Sequence, residues 1–209
     1  GGASWPKLGS DGKWTNHLKN FNSKLNPFRP SNMGFNLPWS IVFQNKYAGK
    51  ALKNVGLSFG GKKKVGELII TKTGVEGGLM YAFSQSLRDE IDDKGLAKFS
   101  LDLCPSIDVV ELERKLEKQP KKLSLSNKLR KAVNLTGAKA GLVEEVRRAL
   151  NLVFANSLDL ATFLKNVPLE TTSYQGLERA ISSSGGLSID SLDTNLMLTE
   201  RPGIFCCGE

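Results

Sequence analysis

The apolar residues of this chain change their period twice, and that change constrains the fold more than any single motif. From about residue 40, Ile41 and Phe43, and then Val55, Leu57 and Phe59, alternate with other residues. This is the period of a half-buried strand, whose successive side chains point to opposite faces. A second apolar, β-branched run covers residues 67–75, and Gly60-Gly61 with Lys62-Lys63-Lys64 lies between the two. A β-hairpin is therefore predicted over 54–73.

Between about 84 and 164 the period becomes helical. Leu87 and Ile91 are four apart, Val109, Leu112 and Leu116 share a face, and so do Leu125, Leu129 and Ala132. Leu142, Val143, Val146 and Leu150 form another stripe, backed by Glu144, Glu145, Arg147 and Arg148. Ser157 is placed to cap a last helix. After Pro168 extended character returns over 169–174, 180–189 and 196–207, with Arg201-Pro202-Gly203 as a turn. Strands, then helices, then strands imply an α+β fold: a small antiparallel β-barrel-like domain interrupted by a helical domain.

Before residue 40 the regular patterns are weak. Gly1, Gly2, Pro6 and Gly9 favour irregular backbone, Trp14, Leu18 and Phe21 predict a short helix, and Pro27, Pro30 and Pro38 mark a connector.

Several chemistries are disfavoured. The segment Gly56 to Lys63 resembles a phosphate-binding loop, but Lys63 stands where a magnesium-binding hydroxyl is required, and no G-x-G-x-x-G follows a strand. Cys104, Cys206 and Cys207 are odd in number and His17 is the single histidine, which suits neither a disulfide framework nor a metal site. Asp92 and Asp93, or Glu144 and Glu145, are sequence neighbours that helices turn to different faces, so they make poor acid/base pairs. No catalytic residue can be assigned. Without a membrane span or signal peptide, a cytoplasmic location is expected. The net charge of +8 attracts phosphate-rich partners without requiring one, so an RNA-binding or protein-interaction module stands as the alternative function.

Five strings carry a resemblance: GGASWPKLGSDG at 1–12, YAGKALKNV at 47–55, GELIITKTGVEGGLMYAFS at 66–84, LSLSNKLRK at 123–131 and LMLTERPGIFCCGE at 196–209. In this order they resemble the bacterial BaiN-like, or aminoacetone oxidase-like, NAD(P)/FAD-dependent flavoproteins. The resemblance implies a Rossmann-type FAD domain split by a long insertion with a β-barrel-like and a helical part. Residues 1–33 would then be a remnant of the FAD domain and connector. The barrel-like domain would occupy 34–83 and 164–199 around a helical insert at 84–163, and 200–209 would be a strand returning to the FAD domain. It further implies that this chain is an insert-bearing fragment, inactive and without cofactor by itself, whose partner is the FAD domain of a parent chain using FAD and NAD(P)H. Gly1, Gly2, Ser4, Gly208 and Glu209 would approach the flavin. The segment with Thr73, Gly74, Glu76 and Gly77 would face flavin and substrate, its glycines permitting close approach.

Overall fold

A computed structural model describes residues 2–21 and 23–208. Its strands are β1 (Leu25–Pro30), β2 (Phe35–Asn36), β3 (Ala51–Phe59), β4 (Lys62–Ile70), β5 (Gly74–Glu76), β6 (Ala97–Asp102), β7 (Val167–Thr171) and β8 (Ser183–Leu187). The helices are α1 (Ile41–Tyr47), α2 (Gly78–Tyr81), α3 (Ser84–Lys94), α4 (Val109–Glu117), α5 (Leu125–Val133), α6 (Gly137–Ala149) and α7 (Ser157–Lys165). The fold is α+β, built on a curled antiparallel half-barrel. Phe35–Tyr174 forms one compact unit, with the sheet and all seven of these helices; the flanking residues, up to Gly34 and from Gln175, form the other.

In the first unit the strand order is β2-β5-β4-β3-β6-β7 with antiparallel neighbours. The predicted hairpin is β3–β4, and Gly60 and Gly61, at φ 56° and 73°, make the turn that hairpin twist favours. Past β7 the chain comes back to β2. Phe35 bridges Tyr174, Asn36 N–H donates to the Ser173 carbonyl at 2.9 Å, and the Thr171 hydroxyl lies 2.7 Å from the Asn36 carbonyl. These contacts draw the two edges of the sheet together. Leu52, Leu57, Leu68, Ile70, Leu101 and Val167 are fully buried in its core.

Two predicted elements of this unit, and one helix cap, are corrected. Ile41 and Phe43 belong to a helix. The Ser40 hydroxyl caps it by accepting from Phe43 N–H at 3.2 Å, and Trp39, Phe43 and Tyr47, four apart, stack in sequence with ring centroids at 4.9 and 5.1 Å. A spacing of four outweighs a two-residue alternation, and Ile41 and Val42 are left on the surface. The helical stretch is also broken by β6, where Ala97, Phe99 and Leu101 are buried and alternate with Lys98 and Ser100. Of the other helical stripes, Leu87, Ile91, Leu112, Leu116, Leu129, Leu142, Val143 and Val146 are buried and Val109, Leu125 and Ala132 half-buried, but Leu150 is exposed just past the end of α6. The cap of α7 is Asn156 rather than Ser157, its Oδ1 accepting from Asp159 N–H at 2.8 Å.

The second unit holds an antiparallel ribbon of β1 and β8. Its strand β1 contains Pro27 and Pro30, where a connector was predicted. The ladder shifts register between Asn26 and Arg29, so the missing proline N–H at 27 costs no regular pairing. Trp14, Leu18 and Phe21 lie in and around the short 3₁₀ helices Lys13–His17 and Lys19–Phe21, where a short helix was predicted. The Arg201-Pro202-Gly203 turn is present, with Leu198 N–H donating to the Ile204 carbonyl at 2.8 Å.

Two consequences are measurable. A Cβ on Gly74 would overlap the Phe35 carbonyl, whereas one on Gly78 meets open space. Gly74→Ala is expected to lower unfolding stability by about 1–3 kcal/mol in urea titration, and Gly78→Ala to leave it unchanged or raise it. On α6, Glu144 accepts from Arg147 Nε and Nη2 at 2.9 and 2.8 Å and from Arg148 Nε at 2.6 Å. The Arg147 hydrogen bonds, offset in part by burial and reinforced by Arg148, hold this carboxyl at about 2 against an ordinary 4.5. A folded value below the unfolded one means the cluster stabilises fully above about pH 4.5 and is lost as pH falls toward 2. The stability difference between wild type and Glu144→Gln should therefore be largest near neutrality and shrink across that window.

Candidate functional site

The segment predicted to face a substrate is part strand and part turn. After β4 a tight loop is closed by Thr71 N–H donating to the Gly74 carbonyl at 2.8 Å, β5 follows, and Gly77 at φ 104° starts α2. Its two central glycines serve the fold directly. Gly74 lets the Phe35 backbone approach, and its carbonyl accepts from the buried Trp39 indole N–H at 2.9 Å; Gly77 adopts a conformation that other residues avoid. Thr73 is exposed and Glu76 half-buried. Thr71 Oγ1 is buried with no hydrogen-bond partner among the described residues, an uncommon state for an interior hydroxyl.

Sequence reading missed Tyr81 here. Its backbone N–H donates to Gly77 O at 2.9 Å, and burial first, with the Glu76 carboxylate second, pushes its phenol above the ordinary value. A phenol so raised stays in its neutral, hydrogen-bond-donating form, as an ordinary tyrosine also does near neutral pH. No local sequence pattern pointed to it.

The residues expected near a flavin lie in the other unit, and Gly1 and Glu209 fall outside the described residues. Ala3 N–H donates to Ser183 Oγ at 2.8 Å, and a Cβ on Gly2 would overlap that hydroxyl, so Gly2 is needed for packing against β8. Ser4 is half-buried, and Gly208, at φ 147°, is exposed with room around it. Near the start of this unit the helical pieces are 3₁₀ turns of three to five residues. Among its described residues no strand leads into an α-helix, so they do not form the cradle that holds a dinucleotide pyrophosphate.

A third arrangement was invisible in sequence. Asp102, at the end of β6, has a side chain 1% exposed, and its Oδ2 takes Lys63 Nζ and Lys165 Nζ, each at 2.8 Å. Oδ1 accepts from Cys104 N–H at 3.0 Å. Lys165 also donates to the Cys104 and Ile107 carbonyls at 2.8 and 2.7 Å, and Lys139 to those of Asn54 and Leu103 at 2.9 and 3.2 Å. Gly56 pairs with Asp102 across the sheet; a Cβ there would press on Lys63 Cε and Asp102 Cβ at 3.0 and 3.1 Å. Burial raises the Cys104 thiol pKa and lowers that of the Lys139 ammonium. A thiol shifted upward is a poor nucleophile, so the cluster is better suited to holding the 102–107 turn than to covalent chemistry.

Among the described residues no group of three or more His, Cys, Asp or Glu could hold a metal, and no helix is long and apolar enough to cross a membrane. The near-miss phosphate loop is the β3–β4 turn.

A family model described as the HI0933-like protein barrel and H2TH domain matches residues 29–182. No curated protein matches the sequence. The matched region contains both the β4–α2 segment and the Asp102 cluster. In Asp102→Asn two ammonium groups lose their shared counter-charge in a buried setting, a change that costs about 3 kcal/mol. Urea unfolding is expected to show that loss, with a smaller one in Lys63→Met, since Lys63 is half exposed.

Proposed function

Because the chain belongs to the HI0933-like family, whose members are flavoprotein oxidoreductases associated with FAD, we propose that it forms the barrel and helical portion of an FAD-dependent, NAD(P)-linked oxidoreductase. The observation that carries this reading is the family match over 29–182, which takes in the whole half-barrel and the helices α1 to α7. Bound flavin would supply the redox step by accepting and passing on a hydride. The described residues lack a pyrophosphate cradle, so no step of that chemistry is assigned to side chains of this chain.

The role left to this chain is to cover the reaction centre and orient what enters it. On this proposal the β4–α2 segment, with Thr73, Gly74, Glu76 and Gly77, lies toward the substrate, and Tyr81 and Glu76 supply a proton donor and an acceptor at its edge. Gly1, Gly2, Ser4, Gly208 and Glu209 are the proposed points of approach to the flavin, and the insertion of this region into a split FAD domain belongs to the same proposal. Support for the β4–α2 part comes from the family match, which includes that segment, and from the Tyr81 phenol, raised by burial and by the Glu76 carboxylate.

The direct test is the visible absorption of the protein purified as its gene encodes it, with and without added FAD, followed by anaerobic titration with NADH and NADPH. A flavin spectrum bleached by either nucleotide is the expected result. A protein that stays colourless with FAD present would sink the proposal.

A further inference from the structure

A cleft on the Phe35–Tyr174 unit lies between α1, α5 and α6, away from the β4–α2 segment and the Asp102 cluster. It encloses about 910 Å³, within the range of small-molecule sites. Its lining is mixed: Val42, Leu135 and Ala140 are among its apolar residues, and Lys46, Arg130 and Thr136 among its polar ones.

The charges there are unevenly matched. Of the two lining carboxylates, Glu144 is paired with Arg147 and with Arg148, which also lines the cleft, while Glu145 keeps its charge and accepts from the neutral Ser40 N–H and Oγ–H at 2.5 and 2.7 Å. Lys46 lies 5.4 Å from the Tyr47 ring centroid, and neither it nor Arg130 has a carboxylate partner among the described residues. Two exposed cations from different helices thus line one concavity without a carboxylate paired to either among the described residues. The floor is fixed as well, because Gly141 leaves the space that the Tyr47 ring occupies; a Cβ there would overlap it.

We infer that this cleft binds a small phosphate ester, its phosphate between Lys46 and Arg130 and its organic body against Val42 and Leu135. An arginine fork and a lysine point charge are the usual pairing for phosphate oxygens, and the apolar residues select an ester over free phosphate. The inference rests on the cleft alone and does not depend on the flavin proposal.

Calorimetric titration of the full protein with ADP, adenosine, inorganic pyrophosphate and a short single-stranded oligonucleotide tests it. ADP should bind with a Kd below about 1 mM, more tightly than either adenosine or pyrophosphate. The double variant Lys46→Ala, Arg130→Ala should weaken ADP by about tenfold or more, while Lys121→Ala, Lys122→Ala, on exposed residues outside the cleft, should leave it unchanged. Lys46 and Arg130 are exposed, so the variant is expected to keep the wild-type circular dichroism and unfolding midpoint. The inference is overturned if ADP fails to bind at about 5 mM, if the double variant binds it as wild type does, or if the oligonucleotide binds more tightly than ADP.

Discussion

Asp102 is the charge around which the Phe35–Tyr174 unit is organised. A carboxylate withdrawn from water is tolerable only when its lone pairs and its charge are both answered, and here a strand, a helix and its own turn each answer it. Lys63 reaches it from β4 across Gly56, Lys165 reaches it from α7, and the Cys104 N–H closes the turn. The same lysine of α7 then binds two carbonyls of the 104–107 segment that leads into α4, and Lys139 ties α6 to the register shift within β3 and to Leu103 just past β6. The helices are therefore fastened to the sheet by ammonium groups as well as by their buried leucines. Directional bonds of this kind select one register among several that apolar packing alone would accept.

Edge closure is the second constraint. An open antiparallel sheet leaves unpaired N–H and C=O groups at both margins, and β2, of two residues, is too short to protect one by itself. The pairing of Phe35 with Val75 on one side and Tyr174 on the other solves this, but only because residue 74 is a glycine. The backbone that carries this closure is the same stretch proposed to face the substrate. A segment held by backbone contacts on two sides, with Thr73 and Glu76 projecting from it, is a firm platform for orienting a reactant.

The candidate site was only partly legible beforehand. Glycine spacing singled out residues 73–77, and the segment proves to be tightly constrained, though its glycines are accounted for by Phe35 and by backbone conformation. Tyr81 lay within the string at 66–84 but was given no role there, and nothing in a sequence tells that a tyrosine will sit beside a glutamate. Asp102, Lys63 and Lys165 are separated by 39 and 63 positions, and no local pattern joins them.

What the sequence determined by itself was local: the β3–β4 hairpin, from alternation around two glycines; the helices α3 to α7, from apolar stripes; and the α+β class, from their order. These follow from steric and hydrophobic periodicity over a few residues, which a linear string records. The tertiary structure decided the rest. It made Ile41–Tyr47 a helix because three aromatic rings four residues apart could stack against the core, and it set β6 among helices because a strand was needed between β3 and β7. It also paired β8 with β1 rather than with the half-barrel, brought three lysines around one buried turn, and gathered Lys46 and Arg130 into a cleft. Such contacts depend on which distant surfaces meet, and the free energy that decides between them is a property of the whole packed chain.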